Sequence, residues 1–119
     1  MKKLIIAIFA LTIVLVGCSS ESYTNIGKDE YIQMVDNKDD YVFIDVRTNE
    51  EFQVDGIDDI FINIDSTVAV DQITSNYNED QNIVLVCRSG NRSGTVAKEL
   101  VKAGFTNVYN IEDGIYSIL

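Results

Sequence analysis

The chain of 119 residues contains no histidine and only two cysteines. Without histidine, no Ser-His or Cys-His pair can activate a nucleophile, and the usual Cys/His zinc site is excluded. Two cysteines cannot build a disulfide framework. Positive charge is also scarce. Nine Lys plus Arg face nineteen Asp plus Glu, a formal charge of −10. With no basic tract, nucleic acid is not expected as a partner. What remains is the balance of an ordinary globular protein, 46% apolar and 24% charged. The length suits one domain and not two. No metal or cofactor is expected, so any catalysis must activate its nucleophile by other means.

The N-terminus has its own logic. Met1-Lys2-Lys3 is a basic start, and Leu4 to Gly17 is apolar except for Thr12. As a helix this run would span about 21 Å, short of the ~30 Å hydrocarbon core. A basic start, an apolar run and then small residues is the layout of a secretory signal. The run ends Leu15-Val16-Gly17-Cys18, followed by Ser19-Ser20-Glu21-Ser22. This resembles the lipobox of bacterial lipoproteins, which implies cleavage before Cys18 and acylation of that cysteine, palmitate included. The alternative is a signal anchor in which Cys18 has no role. The expected layout is a signal peptide over 1–17, a lipidated Cys18 with its tether over 18–23, and a domain over 24–119. Two acyl chains give the stable anchoring that one does not. The expected location is the cell membrane, facing outside the cytoplasm, with the bilayer as partner through Cys18. Removing Lys2 and Lys3 with the leader takes the formal charge to −12. Cys87 is then the one free thiol, in a compartment where such thiols oxidise. That raises the expectation that it is used.

Downstream, apolar strands alternate with helical spacing. Glu30 to Asp36 places Tyr31, Ile32 and Val35 on one helical face. Tyr41 to Val46 and Ile83 to Val86 are nearly all apolar and read as strands covered on both sides. Thr48-Asn49-Glu50-Glu51 has the capping-box pattern that starts a helix. Ile60 to Ile64 is a short strand candidate, and Val68 to Tyr77 a weaker helix. Ser93 to Ala103 is a clear helix with Val96, Ala97, Leu100 and Val101 inward. Gly104 and Phe105 are placed for a Schellman-type stop, and Val108 to Ile111 is the last strand. Strands separated by helices predict an α/β domain of three layers, with a mostly parallel central sheet and helices on both faces.

The chemistry concentrates in Cys87-Arg88-Ser89-Gly90-Asn91-Arg92-Ser93, between a buried strand and a helix start. In an open parallel sheet, ligands bind beyond the carboxyl ends of the strands. A helix N-terminus there presents unpaired N–H groups and partial positive charge. Gly90 and Asn91 are the residues best suited to positive φ, so the loop can curl its amides inward as an anion nest. A thiolate at its centre would have a depressed pKa, helped by Arg88 and Arg92. The plainer reading is a buried structural Cys87 with two solvated arginines.

This loop resembles the active-site loop of the single-domain rhodaneses, sulfurtransferases that carry sulfur as a cysteine persulfide. A second stretch, Asp45-Val46-Arg47-Thr48 followed by Glu50-Glu51-Phe52, is similar to that family's D-V-R-x-x-x-E-[FY] motif. Gly56 and the Phe105 to Tyr109 run also fall in family order, and the likeness spans about residues 24–118. Two segments depart from it. Gly56-Ile57-Asp58-Asp59-Ile60 replaces the usual Gly-His-Ile-x-Gly-Ala, and Ile118 stands where the family usually has Trp. The sequence also stops at Leu119, before a final helix found in many members.

The resemblance implies a rhodanese-like fold with Cys87 as the sulfur-accepting nucleophile. It implies that the amides of Arg88, Ser89, Gly90, Asn91 and Arg92 hold the sulfonate end of thiosulfate or stabilise the persulfide. Asp45 is expected to brace the loop through Arg92, with Arg47 extending the network; alternatively Asp45 caps the next turn. The implied partners are a small sulfane donor, a thiol or cyanide acceptor, and a protein donor or acceptor. The strongly acidic domain points to a neutral or protein-borne donor over a dianion, although local arginines dominate within the ~8 Å Debye length. Two rival functions stand beside this. A phosphatase or arsenate reductase also cradles an anion over a Cys, but its C-x-x-x-x-x-R loop puts Arg where this chain has Ser93. Its leaving-group acid also has no counterpart near the loop in sequence. The other rival is a membrane-tethered binding module whose Cys87 is a redox sensor or idle.

Overall fold

The computed structural model describes residues 22–57 and 59–119; the leader and Cys18 lie outside the described residues. Five strands form one sheet: β1 (Thr24–Ile26), β2 (Val42–Asp45), β3 (Phe61–Asn63), β4 (Ile83–Val86) and β5 (Val108–Ile111). Their order is β1-β5-β4-β2-β3, and every pairing is parallel. The helices are α1 (Lys28–Asp36), α2 (Asn49–Asp55), α3 (Ser66–Asn76) and α4 (Asn91–Lys102). Short 3₁₀ turns occupy Lys38–Asp40 and Ile115–Ser117. This is the predicted α/β architecture of three layers.

Side-chain alternation divides the core in two, because successive strand residues point to opposite faces. Ile44, Val46, Ile83 and Leu85 pack on one face against Ala69 and Ile73 of α3 and Val96, Ala97 and Leu100 of α4. Phe43, Phe61, Val84 and Val86 pack on the other face with Tyr31 and Met34 of α1 and with Ile115 and Ile118. Ile118, at the family's usual Trp position, still fills that core at 7% exposure. Thr48 caps α2 as predicted: its hydroxyl accepts from the Glu51 N–H at 3.1 Å, and Glu51 returns a bond to the Thr48 N–H. The Schellman stop of α4 also forms, with the Phe105 N–H on the Leu100 carbonyl and the Gly104 N–H on that of Val101.

One strand lies outside the sequence expectations and two expectations need correction. β1 has no apolar run to announce it, since Thr24 and Asn25 are polar; its pairing to β5 makes it a strand. On α1 the buried pair is Tyr31 and Met34, while Ile32 faces solvent. α4 begins at Asn91 and not at Ser93, because Gly90 serves as its N-cap.

Candidate active site

The turn from β4 into α4 is shaped by two glycines. Gly90 has φ +95°, a left-handed conformation that glycine adopts freely, and a Cβ there would collide with the Glu112 carbonyl. Gly114, at φ +80°, lies against the Arg88 carbonyl in the same way. The Ile115 N–H donates to the Cys87 carbonyl at 2.9 Å. The loop is thus pressed between its own helix and the turn that follows β5. Asn91, expected to share the positive φ, does not: among the described residues only glycines adopt it.

This turn aims backbone amides at one sulfur. The Gly90 N–H reaches Cys87 Sγ at 3.1 Å and the Ser93 N–H at 3.4 Å, with the Ser93 hydroxyl oxygen also at 3.4 Å. Burial pushes the Cys87 thiol up. Hydrogen bonds from Ser93 and from the amides of Ser89 and Gly90 outweigh it, and the thiol ends below its ordinary value. Ser93 therefore belongs to the cradle that the sequence reading confined to residues 88–92.

The arginines have other partners than expected. Arg92 donates through Nη1 to Glu51 Oε1 at 2.8 Å and through Nη2 to Oε2 at 3.1 Å. Arg88 donates to Glu51 Oε2 at 3.3 Å and to the Tyr116 hydroxyl at 2.9 Å. Tyr116 in turn donates to Asp55 Oδ2 at 3.0 Å. Asp45 does not reach Arg92. It binds Arg47, whose Nε and Nη2 donate to it at 3.0 and 2.7 Å, while Nη1 reaches Asp55 Oδ1 at 2.6 Å. Arg47 thus sits between two carboxylates at the end of β2, so the Asp45–Arg47 pair braces the end of α2 and meets the loop through Asp55 and Tyr116.

Two carboxylates therefore tie down the loop arginines, Glu51 directly and Asp55 through Tyr116. The Arg92 hydrogen bond holds the Glu51 carboxyl far below the usual carboxylate range, and the Arg47 hydrogen bond lowers that of Asp55. Both stay ionised near neutral pH, so neither has a proton to give a leaving group. Glu51 lay within the D-V-R motif and was legible. Asp55, Tyr116 and Asn110, which bonds Ser93, had no sequence signal. Among the described residues, no cluster of His, Cys, Asp or Glu is arranged to hold a metal ion.

A parallel-sheet domain with a cysteine held in backbone amides at a strand-to-helix turn defines the class. The sequence profile of the Rhodanese-like domain matches residues 27–119, and the chain belongs to that family. It is 35% identical over 92 residues to the adenylyltransferase and sulfurtransferase UBA4 of Candida albicans, covering 72% of this chain and 21% of that protein. It is 30% identical over 110 residues to the tRNA uridine(34) hydroxylase of Photorhabdus laumondii, covering 83% of this chain and 31% of the relative. The chain thus spans between a fifth and a third of these relatives. Among solved structures it resembles a rhodanese-like domain protein from Staphylococcus aureus, with TM-score 0.68 and 26% identity over 81% of this chain and 91% of that one.

Proposed function

We propose that this chain is a sulfurtransferase that carries sulfane sulfur on Cys87 as a persulfide. The observation that carries the reading is the pair of amides, from Gly90 and Ser93, converging on one thiol with a lowered pKa. The Cys87 thiolate attacks the outer sulfur of the donor. The donor's S–S bond breaks, and its inner group leaves with the electron pair as a thiolate or as sulfite. The Cys87 persulfide that forms keeps its negative charge beside the amides, which stabilise any small anion placed there. An acceptor thiolate or cyanide then takes the outer sulfur and returns Cys87 to thiolate. No base, metal or external oxidant is needed, and the kinetics are ping-pong.

The donor we favour is a persulfide on a small thiol or a protein, in preference to thiosulfate. Glu51 neutralises Arg92 and shares Arg88, so the loop mouth offers a dianion little free positive charge. We also propose that the protein is anchored to the membrane by acylation of Cys18, supported by the short apolar run ending Leu-Val-Gly-Cys. Cys18→Ala should then leave an uncleaved precursor without lipid label, and unchanged processing would overturn the anchor.

One observation favours the binding-module reading: Cys87 exposes no surface at rest. A donor reaches it only if the loop yields. Mass spectrometry of the full chain after polysulfide or thiosulfate decides between the two. The sulfurtransferase reading expects one added sulfur on the Cys87 peptide and none in Cys87→Ser. No added sulfur with either donor, together with a thiol inert to iodoacetamide at neutral pH, would establish the idle module. Hydrolysis of aryl phosphates without persulfide formation would point instead to the phosphatase class.

A further inference from the structure

The Ser93 hydroxyl has one proton and two acceptors within reach. Its oxygen lies 2.5 Å from Asn110 Oδ1 and 3.4 Å from the Cys87 sulfur. The orientation of the Asn110 amide follows from its other contacts. Nδ2 lies 3.1 Å from Asn25 Oδ1 and 3.4 Å from the Gly90 carbonyl oxygen. A backbone carbonyl can only accept, so the atom facing it is the NH₂ group, and Oδ1 is left facing Ser93. The strand register supports this tie, since Asn25 of β1 is paired directly with Asn110 of β5. Ser93 and Asn110 are both buried. Without the Ser93 proton, Asn110 Oδ1 would be a buried acceptor with no donor, a costly state.

We propose that Asn110 is a positioning residue that competes with the Cys87 sulfur for the Ser93 hydroxyl proton and so weakens the hydrogen bond Ser93 gives the thiolate. In the thiol form the arrangement is also satisfied, because the S–H can donate to a Ser93 lone pair. The consequence is kinetic. A thiolate loses nucleophilicity as its pKa falls, and attacks best when that pKa lies near ambient pH. Weakening one strong donor keeps Cys87 from becoming too stable to react. The inference rests on Cys87 being the reactive thiol and on no particular sulfur donor.

The test is a two-by-two set in the full chain: wild type, Ser93→Ala, Asn110→Leu, and both together. Iodoacetamide labelling of Cys87 is followed against pH by peptide mass spectrometry, a readout that needs no sulfur donor. The charged and titratable groups around the site are Arg88 in the loop, Arg92 on α4, Asp45 at the end of β2 and Arg47 beyond it, Glu51 and Asp55 on α2, Asp65 before α3, and Glu112, Asp113 and Tyr116 after β5; none is altered. Ser93→Ala alone should raise the Cys87 pKa only slightly, because the hydroxyl proton is shared with Asn110 Oδ1. In the Asn110→Leu background the freed hydroxyl donates to the thiolate, so removing it there should raise the pKa by about one unit. Any general loosening of the cradle by Asn110→Leu is common to both members of that comparison and cancels. An equal rise in both backgrounds, or no rise in either, would overturn the proposal. Should Asn110→Leu fail to fold, Ser93→Ala decides alone: a rise well under about one unit supports the proposal and a rise of about one unit or more overturns it. Persulfide formation is measured separately, so a chain that shows this titration pattern but accepts no sulfur would sink the sulfurtransferase reading and leave this one standing.

Discussion

Two arginine–carboxylate pairs draw on the segment from the end of β2 into α2 and do opposite work. Arg47 and Asp45 are both fully buried, joined by three side-chain contacts at 2.7 to 3.0 Å. Arg92 and Glu51 form an equally bidentate pair, but the Arg92 side chain keeps 38% of its surface exposed. Taking charges out of water costs several kcal/mol per ion, so a buried pair stands only while both members and their hydrogen bonds are present. An exposed pair has water as an alternative partner and contributes little to stability. The difference separates architecture from chemistry. Asp45–Arg47 holds the ends of β2 and α2 together, whereas Glu51–Arg92 offsets positive charge beside the Cys87 loop.

The largest expected effect breaks the buried pair. Arg47→Leu leaves Asp45 and Asp55 without their guanidinium and should cost about 3–5 kcal/mol of stability, measured by urea denaturation. A loss under about 1 kcal/mol would mean the pair is not closed to water. Gly90→Ala comes next. Its left-handed φ and the collision with the Glu112 carbonyl should cost about 1–3 kcal/mol by the same measurement. It should also raise the Cys87 pKa in iodoacetamide titrations, because the amide that meets the sulfur at 3.1 Å is displaced.

Glu51→Gln sharpens the contrast from the exposed side. Its stability change should stay within about 1 kcal/mol. The loop arginines it releases should favour a dianionic donor, raising kcat/KM for thiosulfate about fivefold relative to a small alkyl persulfide, the equivalent of about 1 kcal/mol. Equal changes for both donors would show that the arginines do not read donor charge. The smallest effect is in the pH dependence. Glu51 titrates below its unfolded value, so its contribution is fully present above about pH 5 and is lost as the pH falls through the folded value. Between pH 7 and pH 3, wild type should therefore lose slightly more stability than Glu51→Gln in matched urea melts. The reverse order would mean the carboxylate is not held by Arg92.

Much of the site was legible because it is local. Cys87 to Ser93 occupies consecutive positions, and a helix that starts a few residues after a strand turns its first free amides toward the loop between them. The Thr48 cap and the Gly104 stop were legible for the same reason, since each closes within a few residues. The partners of the arginines were not. Asp45 was assigned to Arg92 on the strength of motif order, yet its nearest guanidinium is two residues along the chain, on Arg47.

What the sequence alone determined is the pattern of parallel strands and helices, the thiol at the end of the apolar strand Ile83 to Val86, and the amide cradle around it. These follow from side-chain periodicity and from the backbone geometry of neighbouring residues. Only the tertiary structure decided which charges meet. The parallel register puts Asn110 of β5 level with Leu85 of β4, two residues short of Cys87 and close enough to hold Ser93 and the Gly90 carbonyl. The capping of α2 and the turn after β5 carry Glu51 and Tyr116 to Arg88 across 37 and 28 residues of chain. Such contacts depend on how elements distant in sequence pack against one sheet, and no local spacing encodes that distance.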